Sequence, residues 1–359
     1  MTQRERELLN WIAENPLISQ QELADRAGIT RSSVAVHISN LMKKGYIAGK
    51  GYVLRNPSYA AVIGGVNMDI GARSTDPLVA RDSNPGKVTM SLGGVGRNIA
   101  HNLALLGSDV RMLTAFGDDL YAKKIAASCG ELGIDISHAL QVPGGATSTY
   151  LFIADEMGDM ALAVSDMDIY EHITPAFLQS RRSLLENAQV IVVDTNIPAE
   201  SIQWLCEHIQ VPIFADPVST AIAVKLAPVL GKLHTLKPNR LEAELLSGVP
   251  ITDDASLERA AKVLLDTGLR RVFISLGGDG VYAADHFGSV RQPCLKATMR
   301  NATGAGDAFM AALTWAYLEG TNLADTARLA QAAAAIAIEG TETINPEMSA
   351  EAVRARAKA

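Results

Sequence analysis

The stretch RNIAHNLALLGSDVRMLTAF, residues 97–116, passes from one periodicity to another with almost no spacer. RNIAHNLALLG carries its apolar residues at helical spacing and ends on a glycine, whereas DVRMLTAF is a short apolar run of strand length. The same alternation extends outward in both directions. AAVIGGV (60–66), QVIVVDT (189–195), PIFADP (212–217), HTLKP (234–238) and RVFISLGG (271–278) are short runs rich in Val and Ile, most bounded by Gly, Pro or Asp, and helical stretches such as LEAELLSG (241–248) separate several of them. Such an order predicts an α/β fold, a doubly wound, mainly parallel sheet with helices on both faces. Ligands then bind at the carboxyl ends of the strands. Two pieces break the alternation: residues 72–92, and STYLFIADEMGDMALAVSD (148–166), which reads as a hairpin of two alternating strands. Both are expected to leave the main sheet and form a small β lid over the site.

Composition narrows the function classes. With 359 residues and 48% hydrophobic content the chain can bury two cores, and its net charge of -7 argues against a surface built throughout to hold nucleic acid. Cys129, Cys206 and Cys294 are scattered and form no CxxC pair, which points to a reducing compartment and away from disulfides or zinc; cytoplasm is the expectation. No apolar run reaches the ~18 residues of a membrane span, so no membrane partner is expected. The seven histidines show no HExxH or paired-ligand spacing.

The pattern changes near residue 56. Before it, Leu8, Leu9, Trp11 and Ile12 lie at helical spacing up to Pro16, and Ser19 with Glu22 forms a capping box for a second helix that Gly28 ends. Thr30 caps a third helix with Val34, Ile38 and Leu41 inward and Arg31, Ser32, Ser33, His37, Lys43 and Lys44 outward; a strand pair, YIAGKGYVL (46–54), follows through a turn at Lys50. This order resembles a winged helix-turn-helix, whose third helix enters the major groove and whose wing touches the backbone. Residues 1–55 carry eight basic residues against five acids, a net +3 that leaves -10 elsewhere. That asymmetry favours DNA as the partner of domain 1–56 through the outward residues and Lys50. A winged helix used only for dimerisation or protein contact fits the same segment.

Four places in domain 57–359 carry chemistry. In RNATGAGDAFMAAL (300–313), Gly304, Ala305 and Gly306 open a helix, where unpaired N–H groups and minimal side chains suit an anion such as phosphate. Asp307 beside them cannot serve the anion, so it is expected to accept the proton of a nucleophilic hydroxyl as a phosphoryl group arrives. An acid at a helix start also has a purely structural use. SLGGVGRNIAHNLALLG (91–107) matches neither a dinucleotide fingerprint nor a P-loop; it suits close backbone approach to a polyhydroxylated substrate, with Asn98 as a hydrogen-bond partner, and a plain tight turn fits as well. Asn239 and Glu242, spaced i, i+3, suit support of a hydrated Mg²⁺, or simple helix capping. Gly277, Gly278 and Gly280 offer bare backbone to a nucleotide, or a hairpin turn.

Together VIGGVNMDI (62–70), GGVGRN (93–98), KPNRLE (237–242) and TGAGDAF (303–309) resemble the ribokinase-like, or PfkB, family of carbohydrate and nucleoside kinases, from about Tyr59 to the C-terminus. The resemblance implies ATP-dependent transfer to a primary hydroxyl with Asp307 as base and Gly304, Ala305 and Gly306 as anion hole. It assigns the sugar to Asn67, Asp69, Gly93, Gly94 and Asn98; ATP to Lys237, Asn239, Gly277, Gly278, Gly280 and Thr303; and Mg²⁺ to Glu242 and Asn239 through water. The lid is the family's lid and often its dimer contact, so a homodimer is expected. GGVGRNIA, VSDMDIYEHITP (164–175) and NATGAGDA are most similar to pseudouridine kinases, which phosphorylate the 5′-hydroxyl of a C-linked nucleoside, and place Thr149 and Asp166 near it. Another ribonucleoside, a pentose, or a regulator using the kinase fold as a sensor are the alternatives. Asn301 stands where many members have Asp near a monovalent-cation loop, which leaves potassium use open.

Overall fold

The computed structural model describes residues 1–47, 49 and 58–358. It divides into two compact units, Met1–Ser58 and Tyr59–Ala359.

The first unit contains helices Gln3–Glu14, Gln20–Ala27 and Arg31–Lys43. Ser19 and Glu22 form the reciprocal capping box, Gly28 takes the left-handed conformation that ends the second helix, and the Thr30 side chain accepts the Ser33 N–H. Leu8, Ile12, Leu23, Val34, Ile38 and Leu41 form the core. Arg31, Ser32, Ser33 and Lys43 are exposed and His37 is half-buried. Lys44 is exposed as well, but its charge is not free. Its ammonium lies 2.7 Å from Oε2 of the buried Glu5, and this bond first of all holds the Glu5 carboxyl down at about 2. A buried carboxylate without that cation would be costly, so the Lys44 charge is already committed. Lys50 and most of the expected wing, 46–54, lie outside the described residues.

In the second unit an eight-stranded sheet runs in the order Gly288–Gln292, Val281–Asp285, Arg271–Ser275, Thr235–Leu236, Ile213–Asp216, Val190–Asp194, Tyr59–Ile63, Asp109–Leu113. All neighbours are parallel except the hairpin of the first two strands, where Val281–Asp285 is antiparallel to both its neighbours. Period-two alternation sends Ala61, Ile63, Ile191 and Val193 into one core and Ala60, Val62, Val190 and Val192 into the other. With both faces buried, the strands read as unbroken apolar runs. Truncating Ile191 to Ala would cost about 2–5 kcal/mol by emptying that packing. The alanine-rich helix Leu323–Glu339 lies against helix Ala305–Leu318, its Ala330, Ala332, Ala333 and Ala337 buried. No described helix is long and apolar enough to cross a membrane.

A separate four-stranded sheet, in the order Gly86–Gly93, Asn67–Ser74, Thr149–Ala154, Met160–Asp166, forms the lid. Its last two strands are the antiparallel hairpin read at 148–166. The lid begins earlier than residue 72: strand Tyr59–Ile63 ends in the main sheet, and after three residues Asn67 starts the first lid strand.

Candidate active site

The parallel strands ending at Ile63, Asp194, Asp216, Leu236 and Ser275 gather polar groups beyond their carboxyl ends. Asp194 and Asp216 are register partners on adjacent strands, both buried. Asp194 Oδ2 accepts the Gly65 N–H at 2.8 Å, and Oδ1 accepts the Asn196 N–H at 2.9 Å. Burial, with Asp216 nearby, nevertheless pushes Asp194 up to about 6. Asp216 Oδ2 lies 3.0 Å from Lys237 Nζ. Burial pulls the Lys237 ammonium down, but Asp216, Asp307 and Glu242 outweigh it and hold the amine above its ordinary value.

Helix Ala305–Leu318 points its N-terminus at this cluster. Gly304 has φ 84°, and a methyl group there would strike the Thr343 carbonyl, so only glycine fits. The first bond of the helix ladder runs from Ala308 N–H to the Gly304 carbonyl, leaving the N–H groups of Ala305, Gly306 and Asp307 ahead of it. A Cβ on Gly306 would meet only Lys237 Nζ, at 3.2 Å. The turn therefore combines free donors with a nearby ammonium, which suits an anion. Asp307 Oδ2 accepts Asn98 Nδ2–H at 2.8 Å. Burial first and Asp216 second push its carboxyl up to about 7, with Asn98 and Lys237 pulling back. A carboxyl poised near neutrality is suited to taking a proton.

Asp307 and Asn98 line a cleft of about 660 Å³ together with Asn67, Asp69, Gly94 and Thr303. Asn67 Nδ2 donates to Asp69 Oδ1, and burial above all pushes Asp69 up to about 6 while Asn67 and Arg97 restrain it. A methyl on Gly93 would fall on the Asp69 carboxylate, and one on Gly94, at φ 97°, would come 2.5 Å from the Gly65 carbonyl. The GGVG turn is thus packed against the segment that carries Asn67 and Asp69. Asn98, expected to hold the sugar, lines the cleft and donates one of its two amide hydrogens to Asp307.

Thr149 and Asp166, expected near the nucleoside, stand one position from the lid pair that lines the cleft. They are cross-strand partners and neither lines the cleft; Tyr150 and Ser165, the adjacent pair, do. Side chains alternate along a strand, so an offset of one residue moves a pair to the opposite face. Asp69 pairs with Tyr150, extending the same row. The lining residues Asn196, Val218, Ser219, Ile222, Lys225, Met167, Asp168 and Glu171 also escaped the sequence reading. Met167, Asp168 and Glu171 lie within VSDMDIYEHITP, quoted above only for its resemblance, and no motif marks the other five. Lys225 is structural in part, its Nζ bonded to the Thr195 and Ile197 carbonyls.

The remaining candidates lie outside that cleft. Asn239 and Glu242 form a reciprocal capping box, Glu242 N–H to Asn239 Oδ1 at 2.9 Å and Asn239 N–H to Glu242 Oε2 at 2.8 Å, so capping is their visible use. Burial raises Glu242, as does Asp216. Among the described residues no group of three or more His, Cys, Asp or Glu could hold a metal ion directly. Asn239 bridges to Ser275, which brings the helix start beside Gly277, Gly278 and Gly280. These glycines form the turn of the hairpin between Arg271–Ser275 and Val281–Asp285, with Gly277 and Gly278 exposed and open space around them.

Comparison with known proteins agrees with this geometry. Residues 57–350 match the model of the pfkB family carbohydrate kinases, and residues 1–48 that of a winged helix-turn-helix DNA-binding domain. The chain is 41% identical over 355 residues to the uncharacterized sugar kinase YeiI of Escherichia coli (strain K12), with 98% of each covered. It is 40% identical over 298 residues to pseudouridine kinase of the same organism, 82% of this chain and 95% of that one. A carbohydrate kinase from Agrobacterium tumefaciens has the same fold with TM-score 0.73 at 27% identity, covering 84% of this chain and 97% of the other.

Proposed function

Because the chain belongs to the pfkB family of carbohydrate kinases, a ribokinase-like α/β fold preceded by a winged helix-turn-helix segment, we propose that it transfers the terminal phosphoryl group of ATP to the 5′-hydroxyl of a nucleoside, pseudouridine before others. One observation carries the reading: Asp307, lifted to about 7, faces a cleft from a helix start whose N–H groups are free to bind an anion. In this reading Asp307 Oδ takes the hydroxyl proton while that oxygen forms its bond to the γ-phosphorus and the bond to the β,γ-bridging oxygen breaks, leaving ADP. Asn98 keeps the carboxylate turned toward the hydroxyl. The N–H groups at Gly304–Gly306 and the Lys237 ammonium stabilise charge on the transferring group.

Asn67, Asp69, Gly93 and Gly94 hold the sugar, Tyr150 and Ser165 close over it, and Lys237, Asn239, Gly277, Gly278, Gly280 and Thr303 receive the nucleotide. Kinases of this family use ATP with a metal ion; Mg²⁺, held through water by Glu242 and Asn239, would neutralise phosphate charge. The 40% identity to pseudouridine kinase supports the choice of nucleoside. Steady-state ADP release across pseudouridine, uridine, cytidine, inosine and ribose tests it: pseudouridine should give the highest kcat/KM, and another order would reassign the substrate.

Domains of 1–56 and 57–359, a cytoplasmic location and a homodimer complete the proposal. The dimer would join through the outer lid face, where Val88, Met90, Leu162 and Val164 are exposed. Sedimentation at rising concentration checks it. A second reading, a regulator that senses a nucleoside, draws on the winged helix-turn-helix match at residues 1–48. That reading wins if no nucleoside or pentose supports turnover while one of them alters DNA binding.

A further inference from the structure

The residues lining the cleft come in two sets. Asp307, Asn98, Gly94, Asn67 and Asp69 meet the needs of a sugar and its reacting hydroxyl. A second set, from the 3-10 turn at 167–171 and from residues 218–222, where the short helix Thr220–Ala223 begins, has no part in that chemistry, although the cleft's size suits a ligand larger than a pentose.

Within the second set Val218 is singular. Its φ is 62°, a left-handed conformation that a β-branched L-residue strongly resists. Three bonds enforce it: Val218 N–H donates to Asp216 Oδ1 at 3.0 Å, and the Pro217 carbonyl accepts both the Thr195 hydroxyl at 2.6 Å and the Ser219 N–H at 2.7 Å. Glycine would adopt this backbone without strain. What valine adds is an isopropyl group, and Val218 lines the cleft, as do Ile222 and Met167. Strain that the surroundings over-determine is a sign that the side chain is wanted where it stands.

The geometry points to Val218 as a specificity-determining residue, its isopropyl group forming with Ile222 the apolar wall on which the face of a planar nucleobase packs. This rests on the nucleoside reading above. The polar edge of the base then turns toward the Asp168 and Glu171 carboxylates and the Ser219 hydroxyl, none of which has a hydrogen-bonded partner among the described residues, and acceptors there favour a base rich in ring N–H donors.

The test is kinetic and uses the full chain with saturating MgATP. Val218→Gly removes the wall and the strain together, so nucleoside KM should rise about tenfold with kcat nearly kept, while the melting temperature stays level or rises. An unchanged KM overturns the inference even if kcat falls. A rise in KM with a lower melting temperature would mean a collapsed loop, and Ile222→Ala then decides: a KM rise of several-fold at unchanged stability upholds the wall, and no rise removes it. If the unaltered protein phosphorylates ribose and no nucleoside, the nucleoside reading itself fails and the wall falls with it.

Discussion

The turn at Gly93–Gly96 and the turn at Gly304–Gly306 read alike in sequence, since each sets small residues ahead of a helix. A methyl group added to each meets different things. At Gly93, Gly94 and Gly96 it meets the protein itself, namely the Asp69 carboxylate, the Gly65 carbonyl and the Gly64 backbone. At Gly304 it meets the Thr343 carbonyl, but at Gly306 only the tip of Lys237. The first turn is glycine-rich so that two segments can touch. The second keeps space at Gly306 that its own chain does not fill, which is what the proposed phosphate-binding role requires.

Substitutions can break the comparison. Asp307→Asn should retain ATP binding by calorimetry yet lose about 10²–10⁴ in turnover, because the amide keeps the Asn98 bond but cannot accept the proton; near-normal turnover would strip residue 307 of its role. Gly94→Ala, at φ 97° against backbone, should lose about 2 kcal/mol or more in a denaturant melt. Gly306→Ala should stay within about 0.5 kcal/mol of the parent and lower kcat about tenfold. A reversal of those two outcomes would exchange the roles of the turns.

Smaller effects sharpen the picture. Glu242→Gln keeps an acceptor for the Asn239 N–H, so helix stability should hold while the Mg²⁺ concentration for half-maximal rate rises about tenfold. The carboxyl of Asp307, pushed up to about 7 in the fold, lies above the ordinary aspartate value of 3.8, so its bound proton stabilises the fold fully below 3.8 and that contribution is lost as pH rises through 7. Asp307→Asn should therefore melt a few degrees higher than the parent at pH 8, with the gap closing below pH 4. Activity runs the opposite way, with kcat/KM rising up to about pH 7 and then levelling.

Six strands of the main sheet and the Asp307 turn were legible because burial on both faces writes an unbroken apolar run, and a helix start beside a lone acid is a local event. The edge strand Gly288–Gln292 was not, since GSVRQ is exposed over most of its length and carries one apolar residue. Lid phase was not legible, as alternation fixes the spacing of a face but not which face turns inward: Tyr150 lines the cleft and Thr149, one position before it, does not. The bond between Lys44 and Glu5 was not legible because the two lie 39 residues apart. Val218 was invisible for the plainest reason: valine in a short loop gives no hint of a positive φ.

Asn67 and Asp69 are not on the floor of the molecule but on the cover, in a strand that leaves the main sheet only three residues earlier. A cover that carries its own fingers cannot shut on an empty hand to the same effect. If these two side chains hold the sugar as proposed, a swing about residues 64–66 would bring the grip on the guest and the exclusion of bulk solvent together, and would guard an activated phosphate from wasteful hydrolysis by the act of holding its acceptor.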